Sequence, residues 1–146
     1  MNTPPRVIAE LMTPCPVSVS PRQSLSEANA LMRSLGVRHL PVVEERCLVG
    51  VISQGDLRLF SSLQKVDQRR VQVEEAMIQR PYAIGPDEPV ADVLQRMLER
   101  RIGSAVIVDR GRVVGIFTAV DAMACLRRLV AASDTPALDR QLARRG

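Results

Sequence analysis

The chain has 146 residues, 46% of them hydrophobic and 25% charged, which suits one globular domain or two small subdomains sharing a core and excludes a multidomain machine. Only 2% are aromatic, so the core must be assembled from Val, Leu, Ile, Ala and Met. The net charge of +4 invites nucleic acid as a partner, but the basic residues are spread out, Lys65 is the only lysine, and no aromatic row or zinc-finger pattern accompanies them, so nucleic acid is not expected.

In chain order, "VIAELM" reads as a short apolar turn, followed by a proline-containing bend and a brief extended stretch, "VSV". Ser24 to Leu35 then places Leu25, Ala28, Leu31, Met32 and Leu35 at helical spacing, with Ser24 and Glu27 as a capping box. The runs "HLPVV" and "LVGVIS", separated by "EERC", read as a hairpin pair, and Ser53 opens a second helix. The polar stretch 61–72 is a linker or a helix extension. The order then recurs: "VEEAM", "YAI", a helix carrying Val90, Val93, Leu94 and Met97 after Pro89, the pair "SAVIVD" and "VVGIFT", and a helix from Ala119 to Ala132. After Ser133 a tail follows, in which Pro136 is expected to start a last short helix. The arginine runs at 69–70, 99–101 and 127–128 read as solvated helix faces.

Displacing the chain by sixty-five residues brings the two halves into gapless correspondence: Met12 falls on Met77, Pro16 on Pro81, Pro21 on Pro86, Met32 on Met97, Gly50 on Gly115 and Asp56 on Asp121. Each half is thus a β-α-β-β-α unit, with repeat 1 at 6–60, repeat 2 at 73–128, and a helix end and tail at 129–146. Two such units, each with one apolar sheet face, would bury those faces against one another.

Cys15, Cys47 and Cys125 form no C-x-x-C pair, which points to a reducing compartment, the cytoplasm by default. With His39 as the only histidine, a structural zinc site lacks ligands. No apolar run reaches a membrane-spanning length of about 18 residues, and no signal peptide is indicated. A nucleophile-base pair and a phosphate loop of the GKS/T kind are also missing, so an enzyme is not expected.

The stretches "MTPCPVSVSPRQSLSEANALMRSLGVRHLPVVEERCLVGVISQGDL" and "MIQRPYAIGPDEPVADVLQRMLERRIGSAVIVDRGRVVGIFTAVDA" resemble a tandem pair of CBS domains, a Bateman module. The resemblance covers roughly residues 6 to 128 and implies an α/β fold of two repeats about a pseudo-twofold axis, with two clefts between them. It further implies adenosine-containing ligands (AMP, ADP or ATP, less often S-adenosylmethionine or NAD), a homodimer, and regulation of a separate partner protein without catalysis. A dimerising scaffold that binds no ligand is the alternative.

Within this frame, Asp56 and Asp121 suit the two hydroxyls of a ribose, since one ionised carboxylate can accept both. Ser53 and Thr118, three residues earlier, could meet a phosphate with the free N–H groups of the helix start. The same spacing also makes a capping box, in which these residues serve only the helix. Gly50 and Gly115 would let the backbone approach a ligand closely. By the resemblance, the adenine slot falls to Val17, Ser18 and Val37 in repeat 1 and to Tyr82, Ala83 and Ile102 in repeat 2. Arg38 and His39 stand where the family often places a basic group for phosphate. Their counterparts Gly103 and Ser104 bring no charge, so the two clefts are expected to differ.

Overall fold

The computed structural model describes residues 5–14, 17–65 and 67–145, with side chains described as far as Ser133 apart from that of Gln64. A 3-10 turn, Ile8–Glu10, leads into strand β1 (Thr13–Pro14), helix α1 (Leu25–Leu35), the hairpin strands β2 (His39–Glu44) and β3 (Cys47–Ser53), and helix α2 (Gln54–Gln64). The second half runs α3 (Val73–Ala76), β4 (Ile78–Gln79), β5 (Ala83–Ile84), α4 (Val90–Arg100), β6 (Ser104–Asp109), β7 (Arg112–Thr118) and α5 (Ala119–Arg145). Both halves thus carry the expected β-α-β-β-α order, but the first strand of the first half is Thr13–Pro14 and not the expected "VSV", of which only Val19 makes an isolated bridge, to Val42.

Local chemistry accounts for the helix limits. Ser24 Oγ accepts the N–H of Glu27 at 3.1 Å, so the hydroxyl half of the expected box is present, while the Glu27 carboxylate accepts Gln23 Nε2 instead. Leu25, Ala28 and Met32 face the core, and Gly36 ends α1 in the left-handed region at φ 68°. At the matching end of α4 the left-handed residue is Arg101, at φ 54°. That position suits glycine, because a Cβ there crowds the backbone. Two expectations about the helices are corrected. Residues 68–70 form a turn rather than a helix face, with Arg69 held by the Asp67 carboxylate. Helix α5 continues through Pro136, since the following "ALDRQLARR" is rich in helix formers.

Each half completes the other. Strand β1 pairs antiparallel with β7 through Thr13↔Ile116 and Pro14↔Gly115, and β4 pairs with β3 through Ile78↔Val51 and Gln79↔Gly50. Backbone bonds repeat the exchange: Ile8 N–H donates to Glu88 O and Val90 N–H to Arg6 O, as Val73 N–H donates to Gln23 O and Leu25 N–H to Val71 O. Ile8 is accordingly buried with Ile84, Val93 and Phe117 in the core of the second half, and Val71 and Val73 lie with Leu25, Leu40 and Ile52 in the core of the first. Between the two sheets, Val51, Val106 and Ile116 pack with Leu48, Val108 and Val113. The expected burial of sheet against sheet is therefore present, and the exchange of chain ends ties the halves together along that seam.

This exchange also explains the paired glycines. A Cβ on Gly50 would lie 2.6 Å from Met77 Sδ and 2.9 Å from the carbonyl oxygen of Ile78; on Gly115 it would collide with Met12 Sδ. Both glycines therefore make room for the crossing methionine of the other half, which corrects the expectation that they open space for a ligand.

Candidate functional site

Both strand-to-helix junctions form the reciprocal bonds of a capping box. Asp56 Oδ2 accepts the N–H of Ser53 at 3.0 Å and its hydroxyl at 2.7 Å, while Ser53 Oγ accepts the N–H of Asp56 at 3.1 Å. Asp121 Oδ2 accepts the N–H of Thr118 at 2.9 Å and its hydroxyl at 3.2 Å, and Thr118 Oγ1 accepts the N–H of Asp121 at 3.4 Å. The first N–H of each helix is also committed, from Gln54 to Arg38 O and from Ala119 to Gly103 O. These bonds take up donors that were assigned to a phosphate.

The second carboxylate oxygen distinguishes the junctions. Asp121 Oδ1 accepts the hydroxyl of Thr13 at 3.0 Å, whereas the counterpart of Thr13 in the repeat is Ile78, whose side chain has no donor to offer Asp56. A ligand hydroxyl would compete with Thr13 at Asp121.

Two clefts lie along the seam. The first, of about 340 Å³, is lined by Gly36, Val37, Arg38 and His39 of repeat 1, by Ile116, Thr118, Val120 and Asp121 of repeat 2, and by Thr13. The basic pair therefore faces Asp121, across the repeats. His39 is half-buried, and burial pushes its pKa below the usual 6.5, opposed by the Asp56 and Asp121 carboxylates and assisted by Arg38. Desolvation thus favours the neutral imidazole even with two carboxylates nearby.

The second cleft, of about 630 Å³, has Ile102, Gly103, Ser104, Tyr82 and Ala83 on one side, with Val51 and Ile78 opposite. Ser53 and Asp56 are not among its lining residues. Four arginines are: Arg80, Arg96, Arg100 and Arg101. The Arg100 guanidinium stands 5.3 Å from the Tyr82 ring centroid, within cation–π range. The Tyr82 hydroxyl is enclosed without a hydrogen bond of full geometry, and the Arg96 guanidinium beside it is held above its usual pKa chiefly by that oxygen, with Glu88 and Asp92 contributing. The charge that Gly103 and Ser104 lack is thus supplied by neighbouring elements.

The structure separates some residues grouped by sequence. Val17 and Ser18 line another hollow, with Val43, Arg46, Arg110 and Arg112, apart from Val37. Tyr82, Ala83 and Ile102 do share one cleft. Thr13 and the four arginines were missed. The arginines were legible in the sixty-five-residue alignment, where their counterparts are Cys15, Leu31, Leu35 and Gly36.

Two β-α-β-β-α units, packed through their sheets with exchanged ends and clefts along the seam, define a pseudo-symmetric two-repeat module. The chain belongs to the CBS domain family, which matches residues 8–62 and 73–128. It is 32% identical over 109 residues to the CBS domain-containing protein YhcV of Bacillus subtilis, covering 75% of this chain and 77% of that protein. It is 30% identical over 123 residues to the L-aspartate semialdehyde sulfurtransferase of Methanocaldococcus jannaschii, which is 83% of this chain but only 23% of that enzyme. Among solved structures, the CBS domain pair of protein MJ0100, in complex with 5-methylthioadenosine and S-adenosyl-L-methionine, superposes with a TM-score of 0.73 at 28% identity, over 88% of this chain and 99% of that one. Among the described residues, no helix is long and apolar enough to cross a membrane.

Proposed function

We propose that this chain is a non-catalytic regulatory CBS domain pair that binds adenosine-containing ligands along the seam and passes the bound state to a separate partner protein. AMP, ADP and ATP are the first ligands to consider, with S-adenosylmethionine and NAD after them. The observation that carries the reading is the first cleft: Asp121 offers a carboxylate for ribose, Val37 and Ile116 offer apolar walls, and Arg38 and His39 offer a basic edge. Its size falls within the roughly 300–1,000 Å³ of small-molecule sites. The adenosine ligands named for the MJ0100 pair support it. Because this cleft joins residues of both repeats, a ligand there biases their relative position by its differential affinity for the two arrangements.

A homodimer in the cytoplasm belongs to the same proposal. Leu59 and Leu63 on α2 are 60% and 71% exposed, and Val120, Met123, Leu126 and Val130 form a stripe on α5 that is 50–60% exposed. Apolar rows of this kind suit a second copy. The alternative, a ligand-free dimerising scaffold, draws on the capping boxes, which give Asp56 and Asp121 a structural occupation.

Thermal unfolding with AMP, ADP, ATP, NAD and S-adenosylmethionine, each at a hundred times its calorimetric Kd, separates the two. A bound ligand stabilises the fold by about 2.7 kcal/mol at that ratio. Calorimetry without heat and a midpoint unmoved by any of the five, each at millimolar concentration, would leave the scaffold.

A further inference from the structure

The second cleft concentrates positive charge. Arg96 and Arg100 sit one turn apart on α4, Arg101 caps its end, and Arg80 follows β4. All four are exposed, and among the described residues none has a carboxylate within ion-pair distance. No acidic residue lines the cleft itself; Glu88 lines an adjoining hollow that Arg80 and Arg96 also border, and it acts on Arg96 together with Asp92. Arg80 and Arg101 both hold a left-handed backbone, at φ 54°. Where repeat 1 has Gly36 at this helix end, repeat 2 keeps an arginine against the backbone preference.

Guanidinium groups present forked donors that match phosphate oxygens, and several together neutralise a linked chain better than a single phosphate. We propose that Arg80, Arg96, Arg100 and Arg101 form a subsite for a chain of linked phosphates, selecting a triphosphate over a monophosphate. This rests on the reading of the seam clefts as ligand sites, and adds that phosphate number is read at the arginine cleft rather than beside Arg38. The chain can belong to a nucleotide or be inorganic.

The test is calorimetric titration of the full chain with ATP, AMP and inorganic tripolyphosphate at low and moderate salt. ATP is expected to bind at least tenfold tighter than AMP, with a margin that shrinks as salt screens the charges. Arg96→Ala with Arg100→Ala should abolish the margin and leave AMP affinity within about threefold. Arg101→Gly should raise the unfolding midpoint while weakening ATP, a combination that a purely structural arginine would not give. Tripolyphosphate binding that disappears in the double variant, with no nucleotide bound, would support the subsite and refute the adenosine reading. Nucleotide binding without preference for phosphate number, or a preference unchanged in the double variant, would overturn the subsite and leave the adenosine reading standing. Binding of none of the three would overturn both.

Discussion

Asp121 has two candidate occupations, and substitution by asparagine separates them. Its carboxylate accepts the Thr118 N–H at 2.9 Å, the Thr118 hydroxyl at 3.2 Å and the Thr13 hydroxyl at 3.0 Å. In Asp121→Asn the side-chain amide oxygen can still accept from Thr118, and the Thr13 hydroxyl can turn to accept from the amide N–H. What is lost is the charge near the start of α5, about 0.3–1 kcal/mol. Asp121→Ala removes every one of these bonds and should cost about 1–2 kcal/mol, in the range of a lost cap. For a ribose the ranking changes, because asparagine has a single acceptor oxygen and presents donors to the second hydroxyl. Losing charge-assisted bonds worth about 1.5–3 kcal/mol lowers affinity about tenfold to a hundredfold. Urea unfolding and adenosine-ligand titration of both variants give the comparison. An asparagine variant that binds within twofold of the parent would refute the ribose role and leave Asp121 as a cap.

Gly50→Ala should destabilise by about 1–3 kcal/mol through overpacking, and adding Met77→Ala should recover only part of it, because the Ile78 carbonyl remains 2.9 Å from the new Cβ; denaturant midpoints measure both. Ile8→Ala, which empties a site in the opposite half's core, should cost about 2–5 kcal/mol and unfold both halves in one transition by calorimetry. The depressed pKa of His39 means that the unfolded chain takes up its proton first. Its contribution to stability is therefore complete above about pH 6.5 and falls as pH drops from there toward the folded value. Unfolding free energies of the parent should decline across that window more than those of His39→Gln, and parallel curves would contradict the assignment.

The repeat made most of the fold legible, because the apolar spacing of α1 and α4 and the hairpin runs recur at a fixed displacement. The exchange of ends was not legible: Thr13–Pro14 and Ile78–Gln79 are two-residue strands, too short for any period to show, and their partners lie in the other half. For the same reason, the sequence alone does not show that Asp121 joins Asp56 in acting on His39. Only the pairing across the seam brings Asp121 into one cleft with Arg38 and His39. The run at 99–101 is exposed, as its charge suggests, but local charge carries no information on the cleft that α4 overlooks. Comparing repeats would have exposed it, since leucines hold the places of Arg96 and Arg100 in α1.

Chemical-shift mapping of the backbone amides during titration with AMP tests most directly whether a ligand site is shared between the repeats. Gly36, Val37, Arg38 and His39 should shift together with Thr118, Val120 and Asp121, along one common binding curve. Saturable shifts confined to one repeat, or falling outside both segments, would contradict the shared cleft.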